Sequence, residues 1–198
     1  MRKKDGELLV FKSLTILVIS AFLAAISIVC GKYLAIRGGD VMRFSFENMP
    51  IIMAGMLFGP VVGAVVGVVA DLIGCVLVGY TINPVVTAGA ALIGFIGGLG
   101  YYILGKIKKF PYGLKISASV AAAHLIGSVV IKTVGLAAFY DMPLGALMLW
   151  RLLNYLIVGV LEGVILWYLL KNKALVHEIN SILSKTRKNR TAVKAMNY

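Results

Sequence analysis

The sequence predicts an all-α membrane protein, a compact six-helix transmembrane bundle with N- and C-termini cytoplasmic. Three observations carry that prediction. The chain has 198 residues, of which 60% are hydrophobic and 14% charged, far more apolar than an average soluble domain. Its apolar residues gather into uncharged runs of the length that about 30 Å of hydrocarbon requires. Its 20 Lys and Arg residues, against 8 Asp and Glu, fall mostly outside those runs. A water-soluble globular fold is excluded, and a chain of this length holds at most about six or seven spans.

Each helix is justified in turn. Residues 13–31 form an uncharged run of 19 residues behind the basic cluster Arg2, Lys3 and Lys4. That is longer than the apolar core of a signal peptide, so it reads as a retained first span. Residues 48–58 give only about 16 Å of helix, half the hydrocarbon thickness. Either they form a short helix of their own, or residues 48–70 form one helix kinked at Gly59-Pro60. Residues 60–78 follow, then 84–104, opened by Pro84 behind the turn-forming segment from Gly79 to Asn83. Residues 116–139 and 144–170 complete the set.

Charge bookkeeping chooses the count. Six spans with the N-terminus inside place Arg2, Lys3, Lys4 and Lys12 on the inner face with Lys106, Lys108, Lys109 and Lys115. The tail adds Lys171, Lys173, Lys185, Arg187, Lys188, Arg190 and Lys194, so fifteen of the twenty basic residues lie inside. Five spans would put one of the terminal clusters outside, against the positive-inside rule. The charge is therefore a topology signal, and no nucleic-acid partner is expected. Residues 1–170 read as one six-span domain and 171–198 as a basic cytoplasmic tail. Its Leu175, Val176, Ile179, Ile182 and Leu183 recur at helical spacing, as in an amphipathic extension lying on the membrane or a partner before a disordered basic end.

Small residues four apart let helix backbones approach closely. Gly55 with Gly59, Gly63 with Gly67, Gly94 with Gly98 and Gly159 with Gly163 are read as packing pairs within the bundle. Ala21 and Ala25 make a similar face on the first helix, available to a partner protein. Cys30 and Cys75 lack neighbours at metal-ligand spacing and read as free thiols. No cofactor or metal site is expected.

Ionisable groups inside a span are costly, so each is a functional hypothesis. The spans contain Asp71, Lys132, Arg151, Glu162 and His124. Arg151, Tyr155, Val158 and Glu162 share one stripe of the sixth helix, bordered by Asn154. His124, Ser128 and Lys132 share a stripe of the fifth. With Asp71 from the third helix, these describe a polar pocket opening to the outside. The competing use of the same groups is internal ion pairing, such as Asp71 with Lys132. Glu162 and His124 suit a pocket floor, an interhelix hydrogen bond or a partner contact equally.

Two outer segments would cover the pocket. In residues 32–47, alternation places Arg43 on one side and Phe44 and Phe46 on the other, as in an extended segment folded over the bundle. Residues 79–83 contribute Tyr80 and Asn83. The cations Arg43, Lys132 and Arg151 with the carboxylate Asp71 suit an anionic organic solute that also carries a donor-rich heteroaromatic part. Phe46, Tyr80, Trp150 and Tyr155 would stack on its ring. Asn83, His124 and Asn154 complete the candidate polar lining.

These residues resemble a family. Arg43-Phe-Ser-Phe46, then Pro50-Ile51, then Gly55-Met-Leu-Phe-Gly-Pro60 with Gly63, Gly67, Asp71 and Gly74, together with six short spans, are similar to the substrate-binding S component of energy-coupling factor (ECF) vitamin transporters, most like the folate-specific branch. The motif covers residues 43–74; elsewhere the likeness is of length, topology and basic ends. The resemblance implies a multi-pass protein of the bacterial cell membrane that binds folate or a related vitamin and hydrolyses nothing itself. It implies partners, a transmembrane coupling protein and two cytoplasmic ATPases, and a docking face on the first helix that matches Ala21 and Ala25. Consistently, the sequence has no Gly-rich phosphate loop ending in Gly-Lys-Ser/Thr. Pterin donors would meet Asp71 or the polar stripe, and the glutamate carboxylates would meet the cations. Other vitamins such as riboflavin or thiamin, a small secondary carrier acting alone, and a membrane-embedded enzyme built on Asp71, Glu162 and His124 are the alternatives. The enzyme is disfavoured because those three groups lie at different depths.

Overall fold

The computed structural model describes residues 13–38, 42–107 and 109–196. The N-terminal basic cluster, residues 39–41 and Lys108 lie outside the described residues, as do the side chains of Arg37, Arg43 and residues 186–198. Helix α1 runs over Leu14–Ile28 and continues through a π-helical turn, Val29–Tyr33. A short antiparallel hairpin follows, β1 (Ile36–Gly38) and β2 (Met42–Phe44), with Arg37 opposite Arg43. Then come α2 (Asn48–Phe58), α3 (Pro60–Val78), α4 (Pro84–Gly105), α5 (Tyr112–Tyr140), α6 (Leu144–Lys171) and α7 (Lys173–Met196). Helix α5 is π-helical from His124 to Ile131.

Among the described residues five helices are long and apolar enough to cross a membrane, and α2, with 11 residues, is the short exception. The kinked single helix does not form. Gly59 has φ 107°, a conformation only glycine adopts without strain, so it stops α2, and Pro60 opens α3 at a position that needs no N–H donor. Helix α5 starts four residues before the expected boundary, directly behind Pro111, and so takes Lys115 into its first turn.

Helix α4 is the hub, packing on α2, α3 and α5. Its glycines make this possible. A methyl group on Gly63 would sit 2.6 Å from both the Gly55 Cα and the Gly94 carbonyl oxygen, and one on Gly98 would meet the Gly55 carbonyl. Gly67 crosses Ala90 in the same way. Two of the expected pairs work differently. Gly59 supplies the bend, and Gly159 and Gly163 face His124 Cδ2 and Ser117 Oγ at ordinary contact distances of 3.4 and 3.5 Å.

Ile52, Ile93, Ile116 and Leu166 are fully buried in the core, against which Leu175, Ile182 and Leu183 of α7 also pack. The backbone of α7 is helical to Met196, beyond that apolar stretch. By alternation, α1, α3 and α5 finish, and α4 and α6 begin, at one end of the bundle. The α4–α5 link and α7 lie at the other. Helix α2 starts at mid-depth: Asn48 meets Ser128 in the middle of α5.

Candidate functional site

Between α1, α2, α3, α4 and α5 lies a small pocket lined by Ser27, Ile28, Lys32, Glu47, Ile51, Ala70, Asp71, Ala90 and Lys132. Glycines again make the room. Lys132 crosses α4 at Gly89, where a methyl group would come 2.6 Å from its Cγ. Lys32 lies over Gly74, whose methyl would come 2.8 Å from its Cε, and Glu47 lies over Gly31.

The charges balance, with two ammonium groups and two carboxylates around one space. Lys132, 4% exposed, donates to Glu47 Oε1 at 3.4 Å and to Asn48 Oδ1 at 3.5 Å. Asp71 Oδ2 accepts from Thr87 Oγ1 at 2.7 Å. The internal pair weighed from sequence, Asp71 with Lys132, is therefore not made. Lys132 pairs with Glu47 and Asp71 with Thr87, while Asp71 and Lys132 both face the same space. Ser27 Oγ donates to the Glu47 carbonyl at 2.6 Å and fixes the chain where it enters α2.

A second polar cluster sits deeper. His124 Nε2 is 2.6 Å from Glu162 Oε2, and His124 Nδ1 is 3.3 Å from Ser128 Oγ. The imidazole stacks on Tyr155, with centroids 4.8 Å apart and planes 23° apart. Arg151 Nη1 donates to the Ser128 carbonyl at 3.0 Å. The two stripes drawn on the fifth and sixth helices thus meet each other.

The structure sorts the candidate residues into groups. Asp71 and Lys132 share the pocket. Tyr80, half-exposed, lies under Lys32, whose Nζ is 5.3 Å from the ring centroid. His124, Arg151 and Tyr155 belong to the deeper cluster, with Asn154, half-buried, beside them on α6. Trp150 and Phe46 are exposed, at 44% and 38%. Arg43 lies on β2, which packs against α6. Asn83 is committed to the scaffold: its Oδ1 caps α4 by accepting from Val85 and Val86 N–H, and its Nδ2 donates to the Gly135 carbonyl at 2.8 Å. Ala21 and Ala25 lie on the exposed face of α1. Among the described residues no group of three or more His, Cys, Asp or Glu is placed to hold a metal ion.

Sequence reasoning missed Glu47, Asn48, Lys32, Ser27 and Thr87. Asn48 carried a signal, an amide opening an apolar run with an acid beside it. Lys32 and Glu47 carried none, since charges flanking a span read as ordinary loop residues.

Comparison with known proteins places these features. The family model for the ECF transporter, substrate-specific component, matches residues 15–176. The chain is 22% identical over 156 residues to the folate transporter FolT of Clostridium novyi (strain NT), covering 79% of this chain and 88% of that protein. It is similar to the crystal structure of FolT bound with folic acid, with a TM-score of 0.63 and 25% identity over 77% of this chain and 90% of that one. It also shares its fold with the S component of a bacterial ECF transporter, with a TM-score of 0.58 and 20% identity over 81% of this chain and 95% of that one.

Proposed function

The chain belongs to the substrate-specific components of ECF transporters, and on that premise we propose that it captures a folate from outside the cell and delivers it through a transmembrane coupling protein driven by two cytoplasmic ATPases. The observation that carries this reading is the meeting of Asp71 and Lys132 in one pocket, in a chain similar to a FolT bound with folic acid. The basic α4–α5 link and tail at the opposite end support an outward-facing pocket by the positive-inside rule.

The chemistry fits a folate. One oxygen of Asp71 is held by Thr87, which aims the carboxylate and leaves it able to accept from the amino-pterin N–H groups. Lys132, in the same pocket, donates to the carbonyl and ring-nitrogen acceptors of that pterin. The pocket is far smaller than the roughly 300–1,000 Å³ clefts that enclose whole drug-sized ligands. It takes the pterin end of the molecule, while the remainder extends toward the hairpin, Phe46, Tyr80 and Trp150, which close over it. Helix α1 presents Ala21 and Ala25 to the coupling protein, whose ATPases drive reorientation and release.

Equilibrium binding of folic acid to the purified chain, in detergent and without ATP, tests the reading. Tight binding supports it; no binding, or tight binding of riboflavin or thiamin instead, refutes the folate assignment. Flux through liposomes containing this chain alone would replace the coupled importer with a stand-alone carrier.

A further inference from the structure

We infer that Glu162 and His124 are positioning residues for the pocket cation Lys132, acting through Ser128 and Asn48. The inference rests on the reading of the Lys132 pocket as the ligand site, and it assigns a role to a carboxylate that the pocket does not touch.

The argument is one of donors and acceptors. Lys132 has only protons to give and an ionised Glu162 has only lone pairs, so the groups between them are oriented from both ends. Lys132 donates to Asn48 Oδ1 at 3.5 Å, which fixes the Asn48 amide with its nitrogen toward Ser128 Oγ, also at 3.5 Å. Ser128 Oγ accepts that proton and gives its own to His124 Nδ1 at 3.3 Å. The imidazole is then the Nε2–H tautomer and donates to Glu162 Oε2 at 2.6 Å. Every link runs the same way, and no group is asked for a proton it lacks.

Burial makes the chain matter. Glu162, Ser128 and Asn48 are 0% exposed, His124 is 3% and Lys132 is 4%. With little water to substitute for a lost partner, each hydrogen bond is strengthened and each broken one is costly. Neighbours brace the chain. Tyr155 stacks on the imidazole, and Arg151 and Thr133 both donate to the Ser128 carbonyl, at 3.0 and 3.3 Å. The other oxygen of Glu162, Oε1, has no hydrogen-bond partner among the described residues. The imidazole is thus the side-chain partner of this carboxylate, beside the Met49 backbone N–H. The path crosses from α6 through α5 to the first residue of α2 and returns to α5 at the pocket wall, so a shift of α6 reaches the ligand-binding ammonium.

A substitution series with two readouts tests this. The chain has two histidines, so ¹⁵N spectra of histidine-labelled protein, assigned with His124→Asn, read the His124 tautomer without any ligand. The expected spectrum shows a protonated Nε2 and a bare Nδ1, and Ser128→Ala and Lys132→Met both displace the Nδ1 signal. In parallel, Glu162→Gln and Ser128→Ala each weaken folic acid binding about tenfold. The double variant binds no more weakly than Ser128→Ala alone, and both changes are silent in a Lys132→Met background. An Nδ1 signal that ignores Lys132→Met overturns the inference, whether or not folic acid binds. So do additive or absent losses in a wild-type protein that binds folic acid. Failure of the wild type itself to bind refutes the folate reading alone, and the spectra still decide the positioning role.

Discussion

Replacing Gly94 by Ala puts a methyl group where α3 and α4 touch. It would sit 2.9 Å from the Gly63 Cα and closer still to the Gly63 carbonyl, whereas ordinary contacts of a Cβ are 3.4–4 Å. The obstacle is backbone, so no side chain can swing aside. The helices must part by about 1 Å, and a gap of that order forfeits a quarter to a half of the dispersion energy across the crossing. Overpacking costs about 1–3 kcal/mol, offset by roughly 0.5–1 kcal/mol for replacing a helical glycine with alanine. The net loss is about 1–2 kcal/mol, a fall of roughly 2–8 °C in melting temperature for a chain of this size. Gly105, at the end of the same helix with nothing within 4 Å, is the control, and its Ala variant should melt at or slightly above the wild type. Parting α3 from α4 also stretches the 2.7 Å bond from Thr87 to Asp71, so folic acid affinity should fall with stability. Thermal melting of the detergent-purified variants decides. A Gly94→Ala protein that melts no lower than Gly105→Ala would refute the close-approach argument.

Three further outcomes are expected. Lys132→Ala and Asp71→Ala should each cost more than about 1.5 kcal/mol of folic acid binding, as lost charge-assisted contacts do; titration calorimetry of both variants checks this, and near-wild-type affinity in the pair would move the ligand elsewhere. Asn83→Ala removes both the cap of α4 and the tie to Gly135, so it should lower stability by about 1–2 kcal/mol, read as a drop in melting temperature. Ala21→Trp or Ala25→Trp should abolish uptake by cells while leaving folic acid binding intact; loss of binding would make that face of α1 a packing surface.

Much of the scaffold was legible because it follows from short-range chemistry. The Gly59-Pro60 pair marks the end of one helix and the start of the next, Pro84 behind Asn83 marks another start, and uncharged run lengths mark the spans. The stripes Arg151–Tyr155–Glu162 and His124–Ser128–Lys132 were visible as periodicity. That they face each other, with Glu162 on His124, needed the tertiary structure. The partners of Lys132 were not legible for a related reason. Glu47 and Asn48 are more than eighty residues away in sequence, and nothing in local spacing distinguishes Glu47 from Asp71 as the nearer carboxylate. The π-helical stretch from His124 to Ile131, whose Gly127 packs against Gly89 and Ile93, also left no compositional trace.

On the proposed reading, the brevity of α2 gives the folate its berth. Its 11 residues fill about 16 Å of a hydrocarbon layer of about 30 Å. Roughly two and a half turns of helix are therefore absent above Asn48. The five longer apolar helices among the described residues, of 19 to 29 residues, are each long enough to cross that layer. On that reading the length of the shortest helix limits the size of the cargo, and one further turn at its start would shorten the berth by about 5 Å.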